Sequence, residues 1–570
     1  MRNKQPRPPL PPQERAPQTP NRALVNRQAL PTPSSTAPES SDGISPWLPA
    51  FACDPRWHRA TLLFLAVTTL LRLLQLPTLE LAPDEAYYWD WSRHLSLGYY
   101  DQGPMIAYLI RATTALFGTN TLGVRFGVLL ASLGTLLCCY ALARRIASPL
   151  AGFLTVVLLG LTPMLTIGSV IATYDPPMVF FWALTLVALE RALFAASERT
   201  QRSAWLGAGL ASGLGLLSKH TMLLIVPCLL LFLLLSPPHR RWLLRPEPYL
   251  AFVLTLLLYS GVFWWNARHH WWTFGHLLIL VGKTPGTPLS RLGEFLGSQA
   301  LLFGPVLFLG ALWAGVGALS GKRAAPPHSP VPTSPLLFLA CMGLPVLGFF
   351  CLMSFKSKVQ ANWAPNAWLT PTILWAIWLT LLAGRGRQAR QKAARLFALT
   401  AATSGLLTAV ILFPHLRLWL GLRLPPGADL SNTTYGWRQL AARVQQLRQE
   451  MERGGRRKVF IAGNGYQYPA LMAFYLPDHP ETYDMFLHFR LTMYAAYVDR
   501  LKQRLGQDAI FINDGEVDDR DLREVFERVE WELPLPIWRR PLYNEPIRFL
   551  HIARCYNYRR YVGLDWAQGG

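Results

Sequence analysis

Long apolar runs separated by short polar stretches occupy the middle of the chain, between residues 59 and 413. A helix needs about 20 mostly apolar residues to cross a membrane, and most of these runs approach that length. The pattern therefore predicts a polytopic α-helical membrane protein with about eleven transmembrane helices. The predicted spans are 59–77, 122–143, 148–168, 177–196, 203–218, 221–236, 249–265, 296–318, 335–354, 363–383 and 394–413.

The region before the first apolar run has a different composition. Residues 1–46 are rich in Pro, Gln, Ser and Thr with scattered Arg, and cannot bury enough apolar surface to fold. We therefore expect a disordered cytoplasmic tail over residues 1–46 and a transmembrane domain over residues 47–413.

The region after the last apolar run has the composition of a soluble domain. Strand patterns occur at 458–462 and 508–512, with a helix pattern at 468–475 between them. We expect a small extracytoplasmic α/β domain over residues 414–570. Its Gly463-Asn464-Gly465 turn lacks the third glycine of a dinucleotide loop, so we expect no cofactor there.

The composition agrees with this organisation. Charged residues make up 15% of the 570 residues, below the roughly 25% of soluble domains, and hydrophobic residues make up 51%. The 21 Trp, 20 Tyr and 28 Phe suit the aromatic belts found at membrane surfaces. The 7 Cys fall mostly inside apolar runs, which indicates packing residues and excludes a disulfide-built secreted scaffold.

The net charge of +22 reports topology rather than a partner. Lys and Arg cluster in alternate predicted loops, on the same side as the Arg-bearing tail, and such clusters stay in the cytoplasm. We therefore expect a multi-pass protein of the cell (inner) membrane with a cytoplasmic N-terminus and an extracytoplasmic C-terminus. This placement of charge gives no reason to expect nucleic acid as a partner.

A pair of acids follows the first predicted span. Pro83 with Asp84 and Glu85 behind it predicts a helix that starts at the membrane surface. The acids could serve only to complement the helix dipole. The neighbouring aromatics, Tyr87 and Tyr88 among them, instead favour a platform for sugar rings or lipid headgroups, so we count all four side chains as candidate site residues.

A second acid, Asp175, lies before two prolines at the outer end of the third span. An ordinary helix N-cap explains this pattern equally well. If Asp84 and Asp175 converge at one membrane face, however, they supply a general base and an orienting or metal-binding partner.

Cations also occur at the predicted outer face. Lys219, Lys356 and Lys358 lie at the outer ends of apolar spans, and snorkelling is the simplest explanation for each. A charge at membrane depth is costly and tends to be functional, and a lipid phosphate would need such a counter-charge. The long outer loop adds Arg268 and His269 as candidate substrate-binding residues.

A series of motifs runs in order through residues 60–415. They are Ala82-Pro83-Asp84-Glu85-Ala86-Tyr87-Tyr88-Trp89, Gly98-Tyr99-Tyr100-Asp101-Gln102-Gly103-Pro104, Val124-Arg125-Phe126, Ala172-Thr173-Tyr174-Asp175-Pro176-Pro177, Leu217-Ser218-Lys219-His220-Thr221 and Lys358-Val359-Gln360-Ala361-Asn362-Trp363. Together they resemble the bacterial family-39-type glycosyltransferases of the GT-C superfamily, alongside protein O-mannosyltransferases and the aminoarabinose transferase that modifies lipid A. Asp101-Gln102-Gly103-Pro104 departs from that family, in which His-Pro-Pro is commoner at this place.

The resemblance implies an inverting transferase that takes a hexose or pentose from a polyprenyl-phosphate carrier at the outer membrane face. By the same resemblance, Asp84 is the base or acceptor-orienting acid, and Glu85 binds the acceptor. Asp175 corresponds to the second acidic motif, and Lys219 and Lys358 contact the donor phosphate. The expected partners are the donor, membrane lipids and a lipid, glycan or protein acceptor. No organic cofactor is expected, and metal dependence, on a divalent cation for example, stays open.

Two other classes of function remain as alternatives. A transporter or lipid flippase would place charges near the bilayer midplane and show internal repeats, whereas these acids lie at the outer face and no repeat is visible. A non-catalytic scaffold with an external binding domain would leave the outer-loop acids without a task.

Overall fold

The computed structural model describes residues 50–560, apart from 281, 283, 321–330, 454–457, 488–490 and 516–518. The predicted disordered tail, residues 1–46, lies outside the described residues. The α-helices up to residue 412 are α1 (Arg56–Gln75), α2 (Pro83–Arg93), α3 (Met105–Phe117), α4 (Thr121–Ile146), α5 (Pro149–Gly160), α6 (Pro163–Gly168), α7 (Asp175–Phe194), α8 (Glu198–Ser218), α9 (Ile225–Leu235), α10 (Pro246–Arg268), α11 (Trp272–Leu280), α12 (Pro288–Phe303), α13 (Pro305–Leu319), α14 (Thr333–Ser354), α15 (Leu369–Ala383) and α16 (Arg387–Leu412).

Among the described residues, seven helices are long and apolar enough to cross a membrane. They are α1, α4, α7, α10, α14, α15 and α16, with short turns extending α1 and α15 at their starts. The count becomes eight if α12 and α13, which meet at 105°, form one bent span. The predicted multi-pass helical membrane fold is confirmed, whereas the predicted count of eleven spans is not.

Breaks in the apolar runs explain most of the difference. The predicted span 148–168 is divided at Pro163, which begins α6 and cannot donate the backbone hydrogen bond of a continuous helix. The predicted span 296–318 bends at Gly304, whose φ of 87° is left-handed and is followed by a proline. The predicted span 221–236 begins with a 3₁₀ turn, His220–Leu224, which leaves 11 residues for α9.

The two ends of the bundle carry different side chains. α4 begins near Arg125, which pairs with Glu85, and ends at Arg144 and Arg145, about 30 Å further along its axis. Arg145 donates from Nε to Glu190 Oε2 (2.7 Å), near the end of α7. These clustered arginines therefore lie at the end of the bundle opposite to α2.

The stretch between the first two predicted spans folds into two helices. α2 begins at Pro83, as the sequence predicts, because proline suits the first helical position and Glu85 Oε2 accepts the backbone N–H of Ala82 (2.8 Å). Residues from Glu85 to Ser92 are all buried, so α2 is an internal element rather than an exposed surface helix. The sequence did not predict α3.

The C-terminal region contains a six-stranded sheet. Its elements are α17 (Pro414–Trp419), α18 (Trp437–Arg453), β1 (Phe460–Gly463), α19 (Gln467–Tyr475), β2 (Thr482–Asp484), α20 (Val498–Lys502), β3 (Ala509–Asn513), α21 (Asp519–Val525), β4 (Phe526–Trp531), β5 (Leu535–Ile537) and β6 (Arg548–Tyr558). The strand order is β2-β1-β3-β6-β4, with β5 paired to β6. β1 runs parallel to β2 and β3, and β6 is antiparallel to its neighbours. The predicted small α/β domain is confirmed, although β2, β4, β5 and β6 were not predicted.

The C-terminal domain packs directly on α2. The Trp89 ring meets Phe474 of α19 edge-on, with 5.0 Å between ring centroids. Just before α2, the backbone N–H of Leu81 donates to Tyr475 Oη (2.6 Å), and Glu80 Oε2 accepts the backbone N–H of Trp437 (2.6 Å). The loop after β1 therefore reaches the start of α2, where the candidate acids lie.

Candidate active site

Glu85 is completely buried and joins three parts of the protein. Its Oε1 accepts from Arg125 Nε (2.7 Å) and from the backbone N–H of Ala172 (2.7 Å), and its Oε2 accepts from Arg125 Nη2 (2.6 Å) and from Ala82. The sequence predicted a catalytic, acceptor-binding role for Glu85. In the structure Glu85 has no exposed surface, and both its oxygens accept hydrogen bonds that tie α2 to α4 and to the loop before α7. Its acceptor-binding role stays a prediction.

Arg125 extends this clamp to the chain segment that precedes α2. Its Nη1 donates to the carbonyls of Leu76 (2.9 Å) and Leu79 (2.9 Å), and its Nη2 donates to the carbonyl of Glu80 (2.8 Å). From the sequence we identified Arg125 only as part of a motif and predicted no role for it. A charge inside an apolar span is costly without a partner. An arginine within the predicted span 122–143 could therefore have indicated a buried ion pair.

Asp84, the neighbour of Glu85, has a different environment. Its side chain is only half-buried, and its Oδ1 accepts a hydrogen bond from Tyr466 Oη (2.7 Å). The Tyr466 ring stacks on Tyr87, with 4.3 Å between centroids. Tyr466 follows β1 in the C-terminal domain, beside the glycine turn that we discounted, and no spacing signal in the sequence connects it to Asp84.

The tyrosines of α2 are buried, so they do not form the open platform that the sequence predicted. Tyr87 is 2% exposed, and its Oη donates to Asp101 Oδ2 (3.0 Å) and accepts the backbone N–H of Met493 (2.6 Å). Burial raises the pKa of Tyr87, and the nearby Asp101 carboxylate raises it further. The Tyr87 phenol therefore stays protonated. Tyr88 packs edge-on against Tyr174, with 5.6 Å between centroids.

Asp175 forms the second polar centre. It is the first residue of α7 and is 4% exposed. Its Oδ1 accepts from Lys219 Nζ (2.6 Å), and its Oδ2 accepts from Asn362 Nδ2 (2.9 Å). Both partners are distant in sequence, so Asp175 does more than cap its own helix. The sequence named Asp175 and Lys219 separately, without their pairing, and gave Asn362 no role.

Tyr174 connects the two polar centres. Its ring lies 5.1 Å from Lys219 Nζ and packs against Tyr88. Burial raises the pKa of Tyr174, and the carboxylates of Asp175, Asp101 and Asp84 raise it further. The charges of both predicted acids, Asp84 and Asp175, therefore act on the same phenol. The roles of the acids stay predictions.

The other predicted cations do not join this group. Lys358 is 51% exposed at its side chain and pairs with Glu294 (Nζ–Oε1 2.6 Å), so the expected withdrawal from water is wrong for Lys358. Arg268 is exposed and lies over the Trp264 ring at 4.3 Å. His269 stacks on Trp265 at 4.0 Å. These three side chains lie at separate places near the ends of α10 and α14.

An apolar cavity begins close to Lys219. Its volume is about 320 Å³, and it lies between side chains of α7, α8, α9 and α10. Leu216 and Met222, each three residues from Lys219, line one end of it, and Trp242 and Tyr249 line the other. Lys219 itself is not among the lining residues, so the cavity adjoins it through Leu216 and Met222.

The polar centres do not resemble a metal site. Among the described residues, no three His, Cys, Asp or Glu side chains lie close enough together to hold a metal ion. Mg²⁺ and Ca²⁺ require oxygen ligands. Both oxygens of Asp175 already accept hydrogen bonds from nitrogen donors, one from Lys219 and one from Asn362.

Sequence comparison finds similar proteins for part of the chain. A family model described as "Dolichyl-phosphate-mannose-protein mannosyltransferase" matches residues 101–265. The lipid A galacturonosyltransferase RgtD of Rhizobium johnstonii is 31% identical over 329 residues, 57% of this chain and 66% of that enzyme. An undecaprenyl phosphate-α-4-amino-4-deoxy-L-arabinose arabinosyl transferase of Pseudomonas aeruginosa is 30% identical over 258 residues, 39% of this chain and 46% of that enzyme. The chain thus matches just under two thirds of the first enzyme and less than half of the second.

Structural comparison extends the likeness to most of the chain. ArnT from Cupriavidus metallidurans bound to undecaprenyl phosphate has a TM-score of 0.59 at 16% identity, covering 88% of this chain and 98% of that one. The archaeal oligosaccharyltransferase AglB from Archaeoglobus fulgidus has a TM-score of 0.51 at 12% identity, covering 80% and 69%. At such low sequence identity, these matches show a similar fold.

Proposed function

We propose that this chain, which belongs to the GT-C superfamily of glycosyltransferases, transfers a sugar from a polyprenyl-phosphate donor to an acceptor at the outer face of the membrane. The acceptor is a lipid, glycan or protein, and the transfer inverts the anomeric carbon. The observation that carries this proposal is the half-buried Asp84 carboxylate, held by Tyr466 beside the Asp175–Lys219 pair. The relatives named above are enzymes of lipid A and of undecaprenyl phosphate-linked sugars, which supports the same class of donor.

The reaction needs one base and one cation. Asp84 accepts the proton of the acceptor hydroxyl while the hydroxyl oxygen bonds to the anomeric carbon. The bond from that carbon to the phosphate oxygen breaks, and the phosphate leaves with the electron pair. Because the phosphate already carries charge, a fixed cation stabilises it without a general acid.

Lys219 is our candidate for that cation. An ammonium has three N–H donors, and Asp175 uses one of them at 2.6 Å, which leaves others for a phosphate. Asp175 and Asn362 then position Lys219 rather than touch the substrate. The apolar cavity next to Lys219 suits the isoprenoid carbons of the donor, which must stay out of water.

We also propose that the protein lies in the inner membrane, with a cytoplasmic N-terminus and an external C-terminal domain. The clustered arginines at the end of α4, opposite to α2, support this orientation through the positive-inside rule. The C-terminal domain packs on α2 and therefore lies on the outer side, together with the candidate acids.

Replacement of Asp84 by Asn tests the function directly. Asn keeps an oxygen that can accept from Tyr466 but cannot act as a base, so transfer from a short-chain polyprenyl-phosphate sugar should fall 10²- to 10⁴-fold. The control is Asp478→Asn, which changes an exposed aspartate of the C-terminal domain. Parental activity in the Asp84→Asn protein would reject the proposal, and lipid transport without sugar transfer would favour the flippase alternative.

A further inference from the structure

A polar cleft lies beside the active-site region, between the segment before α2 and the C-terminal domain. Its volume is about 290 Å³. The titratable side chains that line it are Glu80, His415, Tyr435, Arg438, Arg539 and Arg540. Three arginines face one acid, so the cleft carries a net positive charge before any contribution from His415.

None of the three cleft arginines forms a direct ion pair with another described residue. Arg438 is exposed and makes no hydrogen bond or ion pair within the described part of the chain. Arg540 is exposed and lies over the Trp538 ring at 4.8 Å, and no ion pair joins it to another residue that the structure describes. Arg539 is fixed in place by hydrogen bonds from Nη1 to Ser431 Oγ (2.8 Å) and to Asn432 Oδ1 (2.7 Å). The single acid, Glu80, is already engaged with the backbone of Trp437.

The cleft lies at the level where two membrane helices end. One wall, residues 78–80, follows the last residue of α1 by three positions, and His415 follows the last residue of α16 by three. Both helices are among those able to cross a membrane. Three residues of chain span at most roughly 10 Å, so the cleft opens at headgroup depth.

Residues 413–424, which we call the interface segment, follow α16 directly and include α17. Phe413, Trp419 and Leu422 are 54%, 82% and 52% exposed. Arg417 of the same segment points inward and is buried in an ion pair with Asp429. The apolar side chains of this segment point outward and its arginine points inward, which is the reverse of a surface that faces water. The segment also joins a membrane helix directly. Its outer side therefore faces lipid.

We propose that this cleft binds the phosphate of a lipid headgroup, with Arg438, Arg539 and Arg540 as its ligands. Arginine presents a planar fork of donors that fits phosphate oxygens. The acyl chains lie on the exposed apolar side chains of the interface segment. Glu80 is at most roughly 14 Å along the chain from Asp84, so the bound headgroup lies next to the candidate active site. The inference does not depend on the transfer reaction.

Binding of fluorescent phosphatidylglycerol to the full-length protein in non-ionic detergent tests the cleft. Arg438→Gln and Arg540→Gln should each weaken binding about fivefold, and the double variant about 30-fold, because each surface arginine contributes a similar attraction to an anionic lipid. Arg453→Gln, an exposed arginine at the far end of α18 from Arg438 and outside the cleft, is the matched control and should bind as the parent does. Both substituted arginines are exposed, so unchanged thermal unfolding should accompany the loss.

Competition identifies the source of the phosphate. Displacement by unlabelled phosphatidylglycerol, but not by inorganic phosphate, supports a lipid headgroup, whereas equal displacement by inorganic phosphate supports a cleft for free phosphate. Displacement by diacylglycerol, which has the chains without the phosphate, would overturn the proposal, as would parental binding by the double variant. Sugar transfer is measured separately: if it persists in the double variant, the bound lipid is resident rather than the acceptor.

Discussion

The Asp84 carboxylate is held by a tyrosine that the chain supplies 382 residues later. The adjacent acid, Glu85, is held by Arg125 inside the protein and is 0% exposed. Breaking such a buried pair costs about 3–5 kcal/mol, whereas an exposed acid in a first helical turn contributes at most about 1 kcal/mol. The two neighbouring acids therefore have different environments: Glu85 is fixed by a buried ion pair, whereas the half-buried Asp84 accepts a hydrogen bond from Tyr466.

Removal of the Tyr466 hydroxyl should slow transfer without weakening donor binding. A hydrogen bond to a charged group is worth about 1.5–3 kcal/mol, so Tyr466→Phe should lower kcat about tenfold or more and leave KM nearly unchanged. Steady-state kinetics on the purified protein measure both constants. Tyr475→Phe also removes a hydrogen bond between the two domains, to Leu81, and should keep the parental rate. Equal losses in the two variants would make Tyr466 a packing residue only.

Neutral substitution of Lys219 should weaken donor binding and turnover together, because the phosphate gains charge as the sugar departs. Lys219→Arg should restore the rate only partly, since a planar fork replaces a compact ammonium. Lys358→Met is the matched comparison: its side chain is 51% exposed and paired with Glu294, so we expect near-parental kinetics. Steady-state kinetics of the Lys219 and Lys358 variants with a short-chain polyprenyl-phosphate sugar test these expectations. Parental constants for both Lys219 variants would move the phosphate site elsewhere.

Helices α3 and α8 meet at a contact that only glycine permits. A Cβ on Gly103 would lie 2.1 Å from the carbonyl oxygen of Leu217, well inside any allowed contact. The neighbouring residue, Gln102, contacts His220 Nδ1 through its Oε1 (2.9 Å). The Gln102-Gly103 pair, where the family usually has His-Pro-Pro, thus brings the start of α3 against the end of α8.

Gly103→Ala should therefore push α3 and α8 apart. We expect a loss of about 1–3 kcal/mol in stability, the usual cost of overpacking, and a lower transfer rate as the Lys219 end of α8 moves. Gly275→Ala in α11 is the control, because a Cβ there meets nothing within 4 Å and alanine favours a helix. Thermal unfolding in detergent compares the two. Equal melting temperatures would contradict the close approach.

The contact between α2 and the C-terminal domain should weaken in acid. Glu481 Oε1 lies 3.2 Å from His94 Nε2, and its Oε2 accepts from Arg500 Nη1 (3.1 Å). The hydrogen bond from His94, together with the nearby arginines, lowers the pKa of Glu481 to about 2. A lowered carboxyl pKa stabilises the folded state above the ordinary value near 4.5, and this stabilisation disappears as the pH falls towards 2. The protection of α19 against hydrogen exchange, measured relative to the intrinsic exchange rate at each pH, should decrease between about pH 5 and pH 3 in the parent and change less in Glu481→Gln.

Residue type and position predicted the parts of the site better than their arrangement. Asp84, Asp175 and Lys219 stand out in sequence because charges near apolar runs are costly. Their partners Tyr466 and Asn362 come from distant segments, and no local pattern encodes such contacts. Lys358 and Arg268 have the expected residue types, but which face of the chain each occupies depends on tertiary packing. The breaks at Pro163 and Gly304 have local causes instead, a proline in one apolar run and a left-handed glycine in the other, which run length alone does not detect.

The whole molecule combines a membrane bundle with a domain that covers one of its ends. Side chains from α2 and from the C-terminal domain share one buried hydrophobic cluster. The bundle supplies Asp84, Asp175 and Lys219, and the covering domain supplies Tyr466 and all three cleft arginines. Both candidate sites therefore need the domain on the same side of the membrane as α2.

Orientation is the property on which this arrangement depends. A cysteine introduced at Gly515, an exposed position of the C-terminal domain, should react with a membrane-impermeant maleimide in intact cells. None of the seven native cysteines is exposed, so the background should be low. Gln388→Cys, at the arginine-rich start of α16, is the matched position on the other side and should react only after permeabilisation. The opposite pattern would place Asp84, Tyr466 and the arginine cleft in the cytoplasm, where a water-soluble nucleotide sugar is the available donor, and would reject a lipid-linked donor met at the outer face.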